Sequence, residues 1–139
     1  MTLAQKLFGL HGRLRRRDYW LFVVLISVTT SILQALTRVI LDVGPLDPRV
    51  MLAGTITWWP HYAVAIKRMH DRNYSGWLVF AGWLPGYLVM AALLVGASTG
   101  VIWGLGFIAA IPALWLLVEL GFLDGTQGDN RYGPSPKRY

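Results

Sequence analysis

Long apolar stretches alternate along this chain with short polar ones. Apolar residues run almost unbroken over 19–41, 50–66, 77–96 and 101–123, each close to the length of about 20 residues that a helix needs to cross hydrocarbon. The pattern predicts an all-α protein, an integral membrane bundle of four helices in a single domain spanning 1–139, with tails over 1–18 and 124–139. The second stretch is the shortest and carries Pro60, which lacks a backbone donor and crowds the turn before it, so this span is expected to kink. Pro85 and Pro112 are expected to interrupt the third and fourth. Tyr19 and Trp20 open the first stretch and Trp77 the third, where amphipathic rings anchor helices at the membrane surface. A basic run before an apolar one also suits a signal peptide, but the apolar part is too long and no small-residue cleavage site follows.

Composition fits lipid as the solvent. Hydrophobic residues make up 55% of the chain and charged ones 14%, against about 25% charged in ordinary globular domains. With no cysteine, disulfides, thiolate metal sites and a cysteine nucleophile are excluded. Thirteen Lys and Arg against seven Asp and Glu give a net charge of +6. In a soluble chain that excess would suggest nucleic acid; here it suggests retained cytoplasmic loops and anionic lipid. The cations divide unevenly. Lys6, Arg13, Arg15, Arg16 and Arg17 precede the first span, Lys67, Arg68 and Arg72 follow the second, and Arg131, Lys137 and Arg138 follow the fourth. Only Arg49, and Arg38 if it snorkels outward, belong to the other side. The positive-inside rule then places both termini in the cytoplasm.

Three polar segments are therefore expected on one face. They are Gly12-Arg13-Leu14-Arg15-Arg16-Arg17-Asp18-Tyr19-Trp20, then Arg68-Met69-His70-Asp71 through Ser75-Gly76-Trp77, and last Gly125 through Gly128 with Asn130, Tyr132 and Gly133. In these three motifs, and in their order between the spans, the chain resembles the bacterial inner-membrane family called "domain of unknown function 805". The resemblance implies the fold and the inner membrane; it assigns no activity.

The residues themselves suggest a polar cytoplasmic cap. Arg13 and Arg16 are candidate oxyanion binders, because guanidinium forks bind phosphate or carboxylate bidentately, although a basic run beside a span also serves simply to fix topology. Leu3, Leu7, Leu10 and Leu14 share one helical face and predict an interfacial helix. His70 and Asp71 invite a metal reading, but too few ligands accompany them. Arg68, His70 and Asp71 then either hold a ligand or serve the loop structurally, with Asp71 accepting from backbone or an Arg and Ser75 capping the third span. The Gly-rich tail with Asn130 and Tyr132 permits an anion-binding nest, without the strand, helix and Lys of a P-loop.

Glu119 is the one acid inside a predicted span and is expected to pair with Arg13, Arg16 or Arg68. His61 beside Pro60 is expected to bond a backbone carbonyl. No Ser-His-Asp set or paired intramembrane carboxylates supports an enzyme, and no cofactor is implied. The sequence thus predicts a membrane protein binding an anionic ligand or lipid headgroup through Arg13, Arg16, Arg68, His70, Asp71, Asn130 and Tyr132, as an accessory subunit of a membrane complex. The alternative is a small oligomeric channel or transporter, with polar residues of the first two spans lining the path. Either reading allows a homo-oligomer or a membrane-protein partner.

Overall fold

The computed structural model describes residues 1–136; Lys137 and Arg138, counted above among the tail cations, lie outside the described residues. Apart from one isolated bridge between Asn130 and Gly133, the regular structure is helical. It comprises α1 (Leu3–Phe8), α2 (Arg16–Leu41), α3 (Pro48–Thr55), α4 (Trp58–Asp71), α5 (Trp77–Leu94) and α6 (Thr99–Leu117), the last continuing into a π-helical turn over Val118–Phe122.

Three helical segments are long and apolar enough to cross a membrane: Arg16–Leu41, Trp77–Leu94 and Thr99–Phe122. Their apolar side chains point outward, with Val39 80%, Phe107 74% and Ile111 75% exposed. Water would not tolerate so much exposed hydrocarbon on helices of this length, whereas lipid does.

The predicted second span over 50–66 is not one helix. It is divided into α3 and α4, and the break falls at Ile56–Thr57 rather than at Pro60. The proline ring crowds the carbonyl four residues earlier, that of Ile56, and supplies it no donor, and here the helix parts at that point. Pro60 itself sits in the first turn of α4, where a missing donor costs nothing. Pro85 and Pro112, expected to interrupt their spans, lie within continuous α5 and α6.

The interior is small and centres on α4, whose Ala63, Val64 and Met69 are fully buried. One cluster joins Ala65, Ile66 and Met69 to Val79 of α5 and to Leu116 and Leu120. A second joins Val64 to Leu14, Phe22 and Ile26. α5 and α6 form the most extensive helix pair. They approach so closely at Gly82 that a Cβ there would lie 2.4 Å from Leu116 Cδ1.

The amphipathic N-terminal helix is shorter than the leucine spacing predicts. α1 opens on a capping box, with Thr2 Oγ1 accepting from Gln5 N–H and the Gln5 side chain accepting from Thr2 N–H. It stops before Gly9, so Leu10 and Leu14 leave the helical face and enter the two core clusters instead.

Candidate functional site

The last turn of α4 organises the polar cap. The sequence suggested a loop over 67–77, but α4 continues through Asp71, so Arg68 and Asp71 are one helical turn apart and face the same way. The Asp71 carboxylate is shared: Oδ1 accepts from Arg13 Nε at 3.0 Å and Oδ2 from Arg68 Nη1 at 2.5 Å. All three side chains are buried. A buried carboxylate is tolerable only with its charge balanced and its lone pairs occupied, and two guanidinium forks supply both.

Each guanidinium then reaches into other segments. Arg13 donates to the carbonyls of Gly128 at 2.7 Å, Thr126 at 2.6 Å and Gly133 at 3.2 Å. Arg68 donates to the carbonyls of Leu120 at 2.9 Å and Leu123. These carbonyls at the widened end of α6 have no helical partners of their own, and the cations also suit the negative pole of the helix. Arg16 Nη1 caps Phe122 O at 2.8 Å and Trp20 Nε1 caps Gly121 O at 2.9 Å. Trp20, expected as a surface anchor, is 37% exposed and also clamps the π-helical turn, and Trp77 is 77% exposed.

Glu119 pairs with Arg72 (Nε to Oε2, 2.9 Å), not with Arg13, Arg16 or Arg68. The expectation failed because those three side chains are committed to Asp71 and to carbonyls, leaving the next cation on α4 to neutralise the acid. Ser75 is not the N-cap of α5; Gly76 occupies that position, and Ser75 Oγ accepts from Trp77 N–H at 3.4 Å.

The tail folds back over this cluster. Thr126 N–H donates to Asp71 O at 2.8 Å, Asn130 Nδ2 donates to His70 O at 3.0 Å and to Thr126 Oγ1 at 2.9 Å, and Tyr132 stacks on the His70 ring with centroids 3.8 Å apart. His70 Nδ1 lies 3.3 Å from Gly12 O, which joins the first segment to the third through the second. Arg13, Arg16, Arg68, His70, Asp71, Glu119, Asn130 and Tyr132 are thus brought together at one end of the molecule, Arg16 at its exposed edge. Thr126, Arg72, Gly125 and Lys67 belong to the same cluster and were not singled out as site residues. Gly125 is required by contact, since a Cβ would lie 1.9 Å from Asp71 Oδ2. The sequence placed Gly125 and Thr126 in the third motif and Lys67 and Arg72 among the cytoplasmic cations but showed no role for them, because each is selected by a partner more than forty residues away.

Lys67 is fully buried and donates from Nζ to Gly9 O; desolvation pulls its ammonium down to about 8. Burial likewise lowers the His70 imidazole from its usual 6.5, opposed by the Gly12 carbonyl.

Replacing Asp71 by Asn leaves two buried guanidiniums without a counter-charge and is expected to cost about 3–5 kcal/mol in thermal or denaturant unfolding, against about 0.5 kcal/mol or less for the exposed Arg17→Ala. His70 gives a second expected outcome. The folded state holds its proton less tightly than the unfolded one, so this contribution to stability is complete above pH 6.5 and declines as pH falls below that value. Amide exchange at Tyr132 and Gly133 should therefore quicken between about pH 8 and pH 5 beyond its intrinsic pH dependence, and His70→Phe, which keeps a ring to stack, should flatten the change.

Comparison with known proteins matches the family described as "Protein of unknown function (DUF805)" over residues 7–134. Among curated proteins of Escherichia coli K12, "Uncharacterized protein YiiR" is 31% identical, covering 96% of this chain and 89% of that protein. "Inner membrane protein YhaI" is 29% identical over 99% of this chain and 93% of its own length, and "Inner membrane protein YhaH" is 25% identical over 99% and 94%. No solved structure matches. The matched region takes in the first-segment arginines, the α4 terminus with Asp71 and the tail that closes over it, and by that match the chain belongs to the DUF805 family.

Proposed function

We propose that this chain is a multi-pass inner-membrane protein with its cap in the cytoplasm, and that exposed arginines at the rim of the cap hold anionic lipid headgroups. The observation that carries the headgroup reading is a division of labour among the cations. The donors of Arg13 and Arg68 are occupied by Asp71 and by carbonyls, which makes them the frame of the cap. Arg15 and Arg17 remain exposed where α2 begins, Arg15 beside Asp18 at 3.3 Å, while Arg16, also exposed, spends one donor on Phe122 O. There, cations meet headgroup phosphate, each worth about 1 kcal/mol near an anionic surface. Beside them a recess of about 490 Å³ opens between Lys6, Arg15, Asp18 and Tyr132.

Four crossings are part of the same proposal. α2 leads away from the cap and α4 ends in it, so α3 and α4 must together cover the return. The seventeen residues of the apolar stretch 50–66 cover about 26 Å at 1.5 Å per residue, at the short limit for the hydrocarbon. Both termini then lie on the side rich in Lys and Arg, which the positive-inside rule makes cytoplasmic. The pore alternative draws no comparable support. Thr29, Thr30, Ser31 and Thr37 each turn a hydroxyl back to a carbonyl of α2, which spends those four protons within the helix.

Because the chain has no cysteine, single cysteines report its orientation. One at Asp47 should react with an impermeant thiol reagent applied outside intact cells, and one at Asn73 only after the membrane is opened; the reverse pattern would overturn the topology. For headgroup binding, purified protein carrying Arg15→Ala and Arg17→Ala should retain phosphatidylglycerol more weakly by about 1 kcal/mol per cation removed, read by native mass spectrometry against phosphatidylcholine. Equal retention of the two lipids by the unaltered protein would refute the reading.

A further inference from the structure

A second polar cluster lies well away from the cap, near the midpoints of α2 and α5. Thr30 of α2, Thr57 at the break before α4, His61 of α4, and Trp58, Trp83 and Tyr87 line a recess of about 240 Å³. At this depth no water is at hand, so every polar group must find a partner in the protein or in a ligand. The two threonine hydroxyls are 2.6 Å apart, and they also contact the carbonyls of Ile26 and Gly54, each at 2.8 Å. Two protons therefore serve three contacts, and neither hydroxyl has one to offer elsewhere.

His61 is different. Its Nδ1 lies 3.0 Å from Thr57 O, and since a carbonyl only accepts, Nδ1 carries the proton and Nε2 of the uncharged ring keeps its lone pair. Nε2 has no partner among the described residues, yet no sealed side-chain nitrogen or oxygen there lacks one. It is therefore accessible, on a residue that lines the recess. The recess thus presents one acceptor, His61 Nε2, beside the indole N–H donors of Trp58 and Trp83 and the hydroxyl of Tyr87.

Its walls are aromatic. Trp58 and Tyr87 have ring centroids 5.5 Å apart, and no charged side chain contributes to the lining. From the same Trp58, Trp83 and Tyr87, an apolar trough of about 380 Å³ continues past Gly86, Met90 and Ala109, between α5 and α6. A polar end for a head and an apolar extension for a tail lie in line.

We propose that this recess binds an uncharged, lipid-soluble molecule consisting of a hydroxylated ring with an alkyl tail. The molecule arrives from the hydrocarbon, its ring packs among Trp58, Trp83 and Tyr87, its hydroxyl donates to His61 Nε2, and its tail lies in the trough. The cap plays no part, so this site stands or falls independently of headgroup binding.

The probes are para-hexylphenol and para-hexylanisole, which differ in that the anisole oxygen has no proton to donate. Titrated calorimetrically into the full chain in nanodiscs, the phenol should bind saturably and the anisole about tenfold more weakly, the factor for one hydrogen bond. His61→Phe should bring the phenol down to the anisole's affinity, and Ala109→Leu, which fills the trough without touching His61, should weaken both probes together. Equal affinities of the two probes for the unaltered protein, or full phenol affinity in folded His61→Phe, would show the recess to be a packing gap left by the helix break. Should His61→Phe fail to fold, the two-probe comparison on the unaltered chain and the Ala109→Leu titration still decide the matter.

Discussion

The carboxylate of Asp71 is the point on which the polar end of the molecule depends. It is buried, and it accepts from Arg13 on one oxygen and Arg68 on the other. Dehydrating a carboxylate and two guanidiniums costs several kcal/mol per ion, and the mutual attraction offsets this only when the geometry is good and the remaining donors are occupied. The remaining donors are what shape the cap. Arg13 takes carbonyls of the tail and Arg68 takes carbonyls at the end of α6. Satisfying one acid therefore joins the N-terminal segment, α4, α6 and the tail. The tail has few large apolar side chains to bury, and its order rests on these polar contacts.

The same accounting of polar groups governs the membrane-facing part. At the helix break before Pro60 two carbonyls accept a side-chain donor beside a backbone one: Thr57 Oγ1 and Thr57 N–H both donate to Gly54 O, and His61 Nδ1 and His61 N–H both donate to Thr57 O. At the end of α6 the carbonyls of a π-helical turn are taken by Arg16, Trp20 and Arg68. The π-helical turn is thus stabilised by side chains from the neighbouring helices α2 and α4, and the break at 56–57 by side chains of the junction itself. The apolar surfaces add little uniqueness, since most of α2, α5 and α6 faces outward.

How the cations are used also separates frame from surface. Arg13, Arg68 and Arg72 are each matched to an acid or to carbonyls inside the cap, whereas Arg15 and Arg17 lie exposed where α2 begins, and Arg16 is exposed but also caps Phe122 O. A run of basic residues therefore performs two tasks that its sequence does not distinguish. Exposure does so, because a guanidinium closed in by carbonyls has no free donors for a ligand.

The apolar runs determined by themselves that the chain is helical and embedded in lipid, since run length against bilayer thickness is a one-dimensional comparison. Shared polar character likewise marked Arg13, Arg68, His70, Asp71, Asn130 and Tyr132 as belonging together. What the sequence did not determine was the pairing. It suggested Arg13, Arg16 or Arg68 for Glu119, where the structure uses Arg72, and it placed the break of the second span at Pro60 instead of at the residue its ring clashes with. Nor did it show why the third motif opens on Gly125, whose missing side chain makes room for Asp71. These were decided by tertiary structure because a hydrogen bond depends on which donors remain free within about 3 Å. That is a property of the folded neighbourhood and of no single segment.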